Sequence, residues 1–95
     1  MIMHQPVTHQ LKLLDTFADP VLNGSKTFEL RFNDRGFQCG DFIRFTVTNK
    51  AGQIDHDLNT HLFKITYVLN GYGLKEGYVA LGIRDVTPEV QHEGN

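Results

Sequence analysis

The sequence predicts a mainly β, α+β domain: five short strands and one early helix, curled into a small sheet or barrel that the helix closes at one end. Three observations predict it. Apolar and polar residues alternate in five separate stretches, Asn- and Gly-rich clusters fill most of the gaps, and a single stretch near the start carries apolar residues spaced i, i+4. The alternation does not by itself choose a closed barrel over an open sheet.

His9 to Leu14 alternates with Leu11 and Leu13 on one face, a first-strand pattern. Asp15 is read as the N-cap of a short helix in which Phe17 and Val21 share a face beside Ala18 and Leu22. Pro20 removes an intrahelical donor, so this helix should be short, kinked or late in starting. Asn23-Gly24 supplies a left-handed exit. From Thr27 the period is two, with Phe28, Leu30 and Phe32 taken as inward and Thr27, Glu29 and Arg31 on the other face. Asn33 to Gly36 reads as a turn. Asp41 to Thr48 alternates with Ile43, Phe45 and Val47 inward, and residues 53–60 read as polar loop. Leu62 to Leu69 is the fourth strand, with Phe63, Ile65, Tyr67 and Leu69 on one side. A Gly-rich connection, Gly71 to Gly77, leads to the fifth, Tyr78 to Arg84, with Val79, Leu81 and Ile83 inward.

Ninety-five residues, 40% hydrophobic and 21% charged, suit one small domain with a modest core. No apolar run is long enough to span a bilayer, and the first residues carry no secretory pattern, so neither membrane insertion nor secretion is expected. The lone cysteine, Cys39, fits a reducing cytoplasm and no disulfide-linked partner. Nine basic and eleven acidic residues give a net charge of −2, which does not suit a protein that coats phosphate backbones. Asp85, Glu89 and Glu93 are the charged residues of 85–95, leaving nine basic and eight acidic residues over 1–84, a charge of +1. Residues 1–8 are read as an extension, 9–84 as the domain and 85–95 as an acidic, mobile tail. Any nucleic-acid site should be a local pocket.

The stretch Gly24 to Arg35 is dense in charge. Alternation sets Glu29 and Arg31 on one face, about 7 Å apart along the strand. Lys26 sits at the strand entrance beside Gly24, where a backbone can approach a ligand closely. Lys26 and Arg31 could hold an anion while Glu29 orients a donor or a water. The charge pattern alone first suggests a structural ion-pair lattice of Glu29, Arg31, Asp34 and Arg35.

Gly24-x-Lys26-x-x-Glu29-x-Arg31 resembles the G-x-K-x-x-E-x-R signature of the ASCH (activating signal cointegrator homology) domains. Two further blocks extend the resemblance, His9-Gln10-Leu11-Lys12 and Gly71-Tyr72-Gly73-Leu74-Lys75-Glu76-Gly77-Tyr78-Val79, as does the run Lys26 through Asp41. With these the chain is most similar to a short bacterial and phage branch without assigned function, over residues 9 to about 84. The resemblance implies a PUA-like, five-stranded pseudobarrel with one short helix after the first strand, and a cleft lined by Gly24 to Arg31. It also implies binding of RNA or modified nucleosides. Some small ASCH proteins are amidohydrolases of an acylated cytidine, with the motif G-x-K-T-x-T-x-R. Lys26 matches their Lys and Thr27 their first Thr, but Glu29 stands where the second Thr is catalytic. Glu76 is the one carboxylate between the last two strands that could match their assisting Glu. The branch often opens its fourth strand with Y-T-G-R, where this chain has His61-Leu62-Phe63-Lys64.

Other residues invite two readings each. Arg35 either reaches into the cleft as a phosphate or base-edge contact or pairs with Asp34 or Asp41. Phe37 and Tyr72 either stack on a base or pack, with Tyr72 the better stacking candidate. His9 is a packing or hydrogen-bonding residue more than a site residue, and Cys39 has no dedicated base in sequence. His56 and His61, with Asp55 and Asp57, match no zinc spacing, so neither metal nor cofactor is expected. The functional expectation is an RNA- or modified-nucleotide-binding module using Lys26, Glu29, Arg31, Arg35 and Tyr72. One alternative is an amidohydrolase of acylated cytidine-type nucleosides, with Lys26, Thr27 and Glu29 as candidate catalytic residues. The other is a protein-interaction domain in which the motif is structural.

Overall fold

The computed structural model describes residues 4–88. Six strands form one open sheet with a single α-helix: β1 (Thr8–Leu14), α1 (Asp15–Leu22), β2 (Phe28–Phe32), β3 (Phe42–Asn49), β4 (Gly52–Gln53), β5 (Leu62–Asn70) and β6 (Tyr78–Asp85). A single 3₁₀ turn, Asp57–Thr60, precedes β5. The strand order is β1-β3-β5-β6-β2, with the short β4 paired to β3. β1 and β3 run parallel, a pairing that requires a crossover, and α1 and β2 lie in that connection. β3–β5, β5–β6 and β6–β2 are antiparallel. Among the described residues no helix is long and apolar enough to cross a membrane.

The inward faces of β1, β3 and β6 are those the alternation gives: Leu11 and Leu13; Ile43, Phe45 and Val47; and Val79, Leu81 and Ile83 are all buried. Ala18 and Val21 dock α1 onto this core, joined by Phe37, Leu58, Phe63 and Ile65. The helix is only eight residues long and runs through Pro20. Asp15 is its first residue, and the N-cap is Leu14 with no side-chain cap. At the other end Gly24 takes φ +85°, the left-handed exit expected of Asn23-Gly24.

Two faces depart from the alternation. In β2 it is Glu29 that is buried, at 2% exposure, while Phe28, Leu30 and Phe32 are exposed at 46%, 53% and 55%. Period two fixes which residues share a face and leaves open which face meets the interior. Here the interior face carries a carboxylate whose charge is met by two cations. In β5 the register shifts between Ile65 and Tyr67, so Thr66 is an extra residue and the following side chains change face. Val68 packs on the core and Tyr67 turns outward at 63% exposure. Gly82 makes room for this bulge, since a Cβ there would lie 3.0 Å from Thr66 Oγ1.

The stretch read as loop, 53–60, contains part of β4 and the 3₁₀ turn, whose Leu58 is fully buried. His56 Nδ1 caps that turn by accepting the Leu58 N–H (3.0 Å), and its Nε2 meets Asp19 at 2.7 Å. His61 pairs instead with Asp85 at 2.6 Å. Residues 85–87, read from sequence as the start of a mobile tail, are fastened to β5. Val86 N–H donates to Leu62 O (2.8 Å), and Leu62 N–H donates to Thr87 Oγ1 (2.8 Å). The rest of that tail, 89–95, lies outside the described residues.

Candidate functional site

The helix exit sets the position of Lys26. Pro20 O, turned toward the exit, accepts Lys26 N–H at 3.0 Å and the Ser25 hydroxyl at 3.3 Å, while Asn23 Oδ1 accepts Ser25 N–H at 2.9 Å. The Lys26 ammonium then meets Glu29 Oε1 at 2.8 Å and Phe28 O at 2.7 Å, and lies 4.7 Å from the Phe28 ring centroid and 5.3 Å from that of Phe17. From the other side Arg31 donates to Glu29 Oε2 through Nε (2.9 Å) and Nη2 (2.8 Å). Nη2 also reaches Lys12 O at 2.8 Å. One buried carboxylate is thus gripped by two cations, a triad of net charge +1 from its three side chains.

The Arg31–Lys12 contact joins β2 to β1, the two edge strands of the open sheet. Between them lies a cleft of about 540 Å³, within the range of small-ligand sites. Residues 12–14 of β1, Phe17 of α1, Lys26, residues 28–32 of β2 and Tyr78 of β6 line it. The backbone of β2 faces the same gap. Thr27 O accepts Ile83 N–H of β6 and Asn33 N–H donates to Gly77 O just before β6, so by antiparallel alternation Phe28, Leu30 and Phe32 turn their N–H and C=O groups to the free edge. Lys26 occupies Phe28 O, and Asp34 N–H occupies Phe32 O.

Lys26, Glu29 and Arg31 therefore converge, and Arg35, Tyr72 and Thr27 are not among the residues lining the cleft. Arg35 is half-exposed and loosely paired with Asp34 at 3.9 Å. Tyr72 projects from its loop at 93% exposure with φ +53°. Thr27 is exposed and gives its carbonyl to Ile83 N–H at 3.0 Å. Glu76 lies with Lys75 in a neighbouring depression. β5 is not among the cleft's lining elements, and Phe63, which stands at the glycine of the Y-T-G-R pattern, packs in the core edge-on to Phe45. Sequence reasoning missed the aromatic lining, Phe17, Phe28, Phe32 and Tyr78. A usable signal was present: a K-x-x-E-x-R pattern can satisfy its own carboxylate, which frees the apolar face of that strand to turn outward.

A second buried carboxylate lies at the start of β3. Asp41 is fully buried and accepts from four directions: His4 Nε2 at 2.7 Å, His9 Nε2 at 2.8 Å, and the Val7 and Gln38 amides at 3.2 Å each. Burial pushes its acidity toward the neutral form, but hydrogen bonds from His4, His9, Val7 and Gln38 outweigh it and hold the pKa at about 2. His9 is buried against Phe37, ring to ring at 4.7 Å. Cys39, exposed nearby, gives its thiol hydrogen to Thr66 O at 3.2 Å.

The family described as Domain of unknown function (DUF3850) matches residues 8–83. The chain belongs to the DUF3850 family. The matched span runs from β1 into β6 and so holds the whole cleft, together with His9 and Asp41, while His4 stands outside it. No curated protein matches the chain.

Proposed function

We propose that this DUF3850 chain is an RNA- or modified-nucleotide-binding module of the cytoplasm, a PUA-like barrel of ASCH type opened along one seam, with the seam between β1 and β2 as its site. The observation that carries the reading is the pairing of a buried, doubly gripped Glu29 with exposed aromatic side chains in one cleft. Phe17, Phe28, Phe32 and Tyr78 offer apolar faces for a base. The net positive triad offers Lys26 and Arg31 to a phosphate. An ionised carboxylate has about four acceptor positions. Glu29 Oε1 accepts from Lys26 and Oε2 from Arg31 twice, so Oε1 retains room for a base or ribose donor.

Short RNAs titrated against the parent and the Lys26→Ala/Arg31→Ala double variant test this. The double variant should bind at least ten times more weakly, and the parent should show a shallow salt slope, with about one to three phosphates neutralised. Equal affinities would remove the cleft from the account. The amidohydrolase reading has Lys26 and Glu29 in contact in its favour, but the exposed Thr27 is no part of the lining. Release of cytidine from N4-acetylcytidine would favour that reading over simple binding.

A further inference from the structure

The cleft has a neighbour. A second depression of about 630 Å³ lies beside it, between the β2 end and the Gly-rich loop before β6, and both hollows are lined by Phe32 and Tyr78. These two rings meet edge to face, centroids 5.6 Å apart and planes at 73°, and form the ridge between the hollows. The loop is shaped to seat that ridge. Gly77 has φ +85°, and a Cβ there would lie 2.7 Å from Phe32 Cε1.

The charges on the two sides of the ridge differ in how they are used. In the cleft Lys26 and Arg31 are both committed to Glu29. Beyond the ridge, Lys75 and Glu76 both line the hollow; Lys75 is exposed, lies 5.9 Å from the Tyr78 ring centroid and, among the described residues, forms no ion pair with Glu76 or any other carboxylate. Asn33 stands at the same rim, fixed by the Phe37 N–H on its Oδ1 (3.0 Å). Two hollows that share an aromatic ridge, with an uncommitted cation beside it, suit a chain whose bases are joined by a phosphate.

We propose that the cleft is one half of a two-nucleotide site. A single-stranded RNA segment straddles the Phe32–Tyr78 ridge, with one base in the cleft, the next nucleotide in the second hollow, and the linking phosphate met by Lys75. This rests on the nucleotide-binding reading and adds that the ligand is a chain and not a free nucleotide.

The test is a fluorescence-anisotropy titration of a labelled random-sequence RNA tetranucleotide pool, with competition by an equimolar mixture of the four ribonucleoside 5′-monophosphates. The parent should bind the pool roughly tenfold or more tightly than the monophosphates. Lys75→Ala, a change at an exposed position, should erase most of that preference, weakening the pool far more than the monophosphates. Arg31→Ala should weaken both. Equal affinity for pool and monophosphates, or a Lys75→Ala variant that keeps the preference, overturns the two-nucleotide site while leaving the cleft reading intact. Binding of neither by the parent overturns both.

Discussion

Glu29 and Asp41 are both buried carboxylates, yet they are held in opposite ways. Asp41 accepts from His4, Val7, His9 and Gln38, two of these through backbone amides, so it fastens the N-terminal segment and the loop after β2 to the start of β3. Glu29 is gripped only by the ends of two long side chains, Lys26 and Arg31, each about one-fifth exposed. Backbone donors cannot move without unfolding their segment, whereas ammonium and guanidinium groups can re-aim toward a ligand. The first arrangement suits a structural carboxylate; the second suits the ligand site proposed above.

The largest expected effect comes from Asp41→Ala. It leaves the buried His9, together with His4 and the part-buried Val7 and Gln38 amides, without their acceptor and should cost about 3 kcal/mol, a fall in Tm of roughly 15 °C by thermal melting. RNA affinity should be unchanged where the variant is folded. The same residue sets an acid limit. Because its folded pKa of about 2 lies below its ordinary value of 3.8, its contribution is full above about pH 4 and is lost as pH falls toward 2. Urea titrations of the parent and Asp41→Asn should converge across that window. Parallel curves down to pH 2 would break the contrast.

A smaller loss is expected for Glu29→Ala, about 2 kcal/mol, because the two cations left behind are partly exposed and can turn to water. Its signature is electrostatic. With the carboxylate gone, the salt dependence of RNA binding should steepen by about one phosphate equivalent, measured as log affinity against log salt. An unchanged slope would mean that the cations never reach the ligand. Smallest is Gly77→Ala, where a left-handed φ and the Phe32 contact should cost about 1 kcal/mol by urea titration. It should weaken tetranucleotide binding more than monophosphate binding.

Much of the fold was legible because strand periodicity is local. Leu11 and Leu13, Ile43 to Val47 and Val79 to Ile83 face inward as their alternation implies. Tyr67 escaped because one extra residue, Thr66, reverses the phase without any mark in composition. The cleft was half legible. The Lys26, Glu29 and Arg31 cluster is a local pattern, but the sign of the β2 face depends on whether that pattern satisfies itself in the interior. Phe17 and Tyr78 reach the cleft from α1 and β6, a convergence set by topology. Likewise the contact of His9 with Asp41 spans 32 residues of sequence.

Ligand binding in the seam between β1 and β2 can be seen residue by residue through amide chemical-shift mapping. ¹⁵N-labelled protein would be titrated with the random-sequence RNA tetranucleotide pool. Shifts should concentrate at Lys12, Phe17 and Lys26 to Phe32, with His9 and Asp41 unmoved. Shifts gathered around His9 and Asp41 instead, or none at saturating RNA, would contradict binding in the seam.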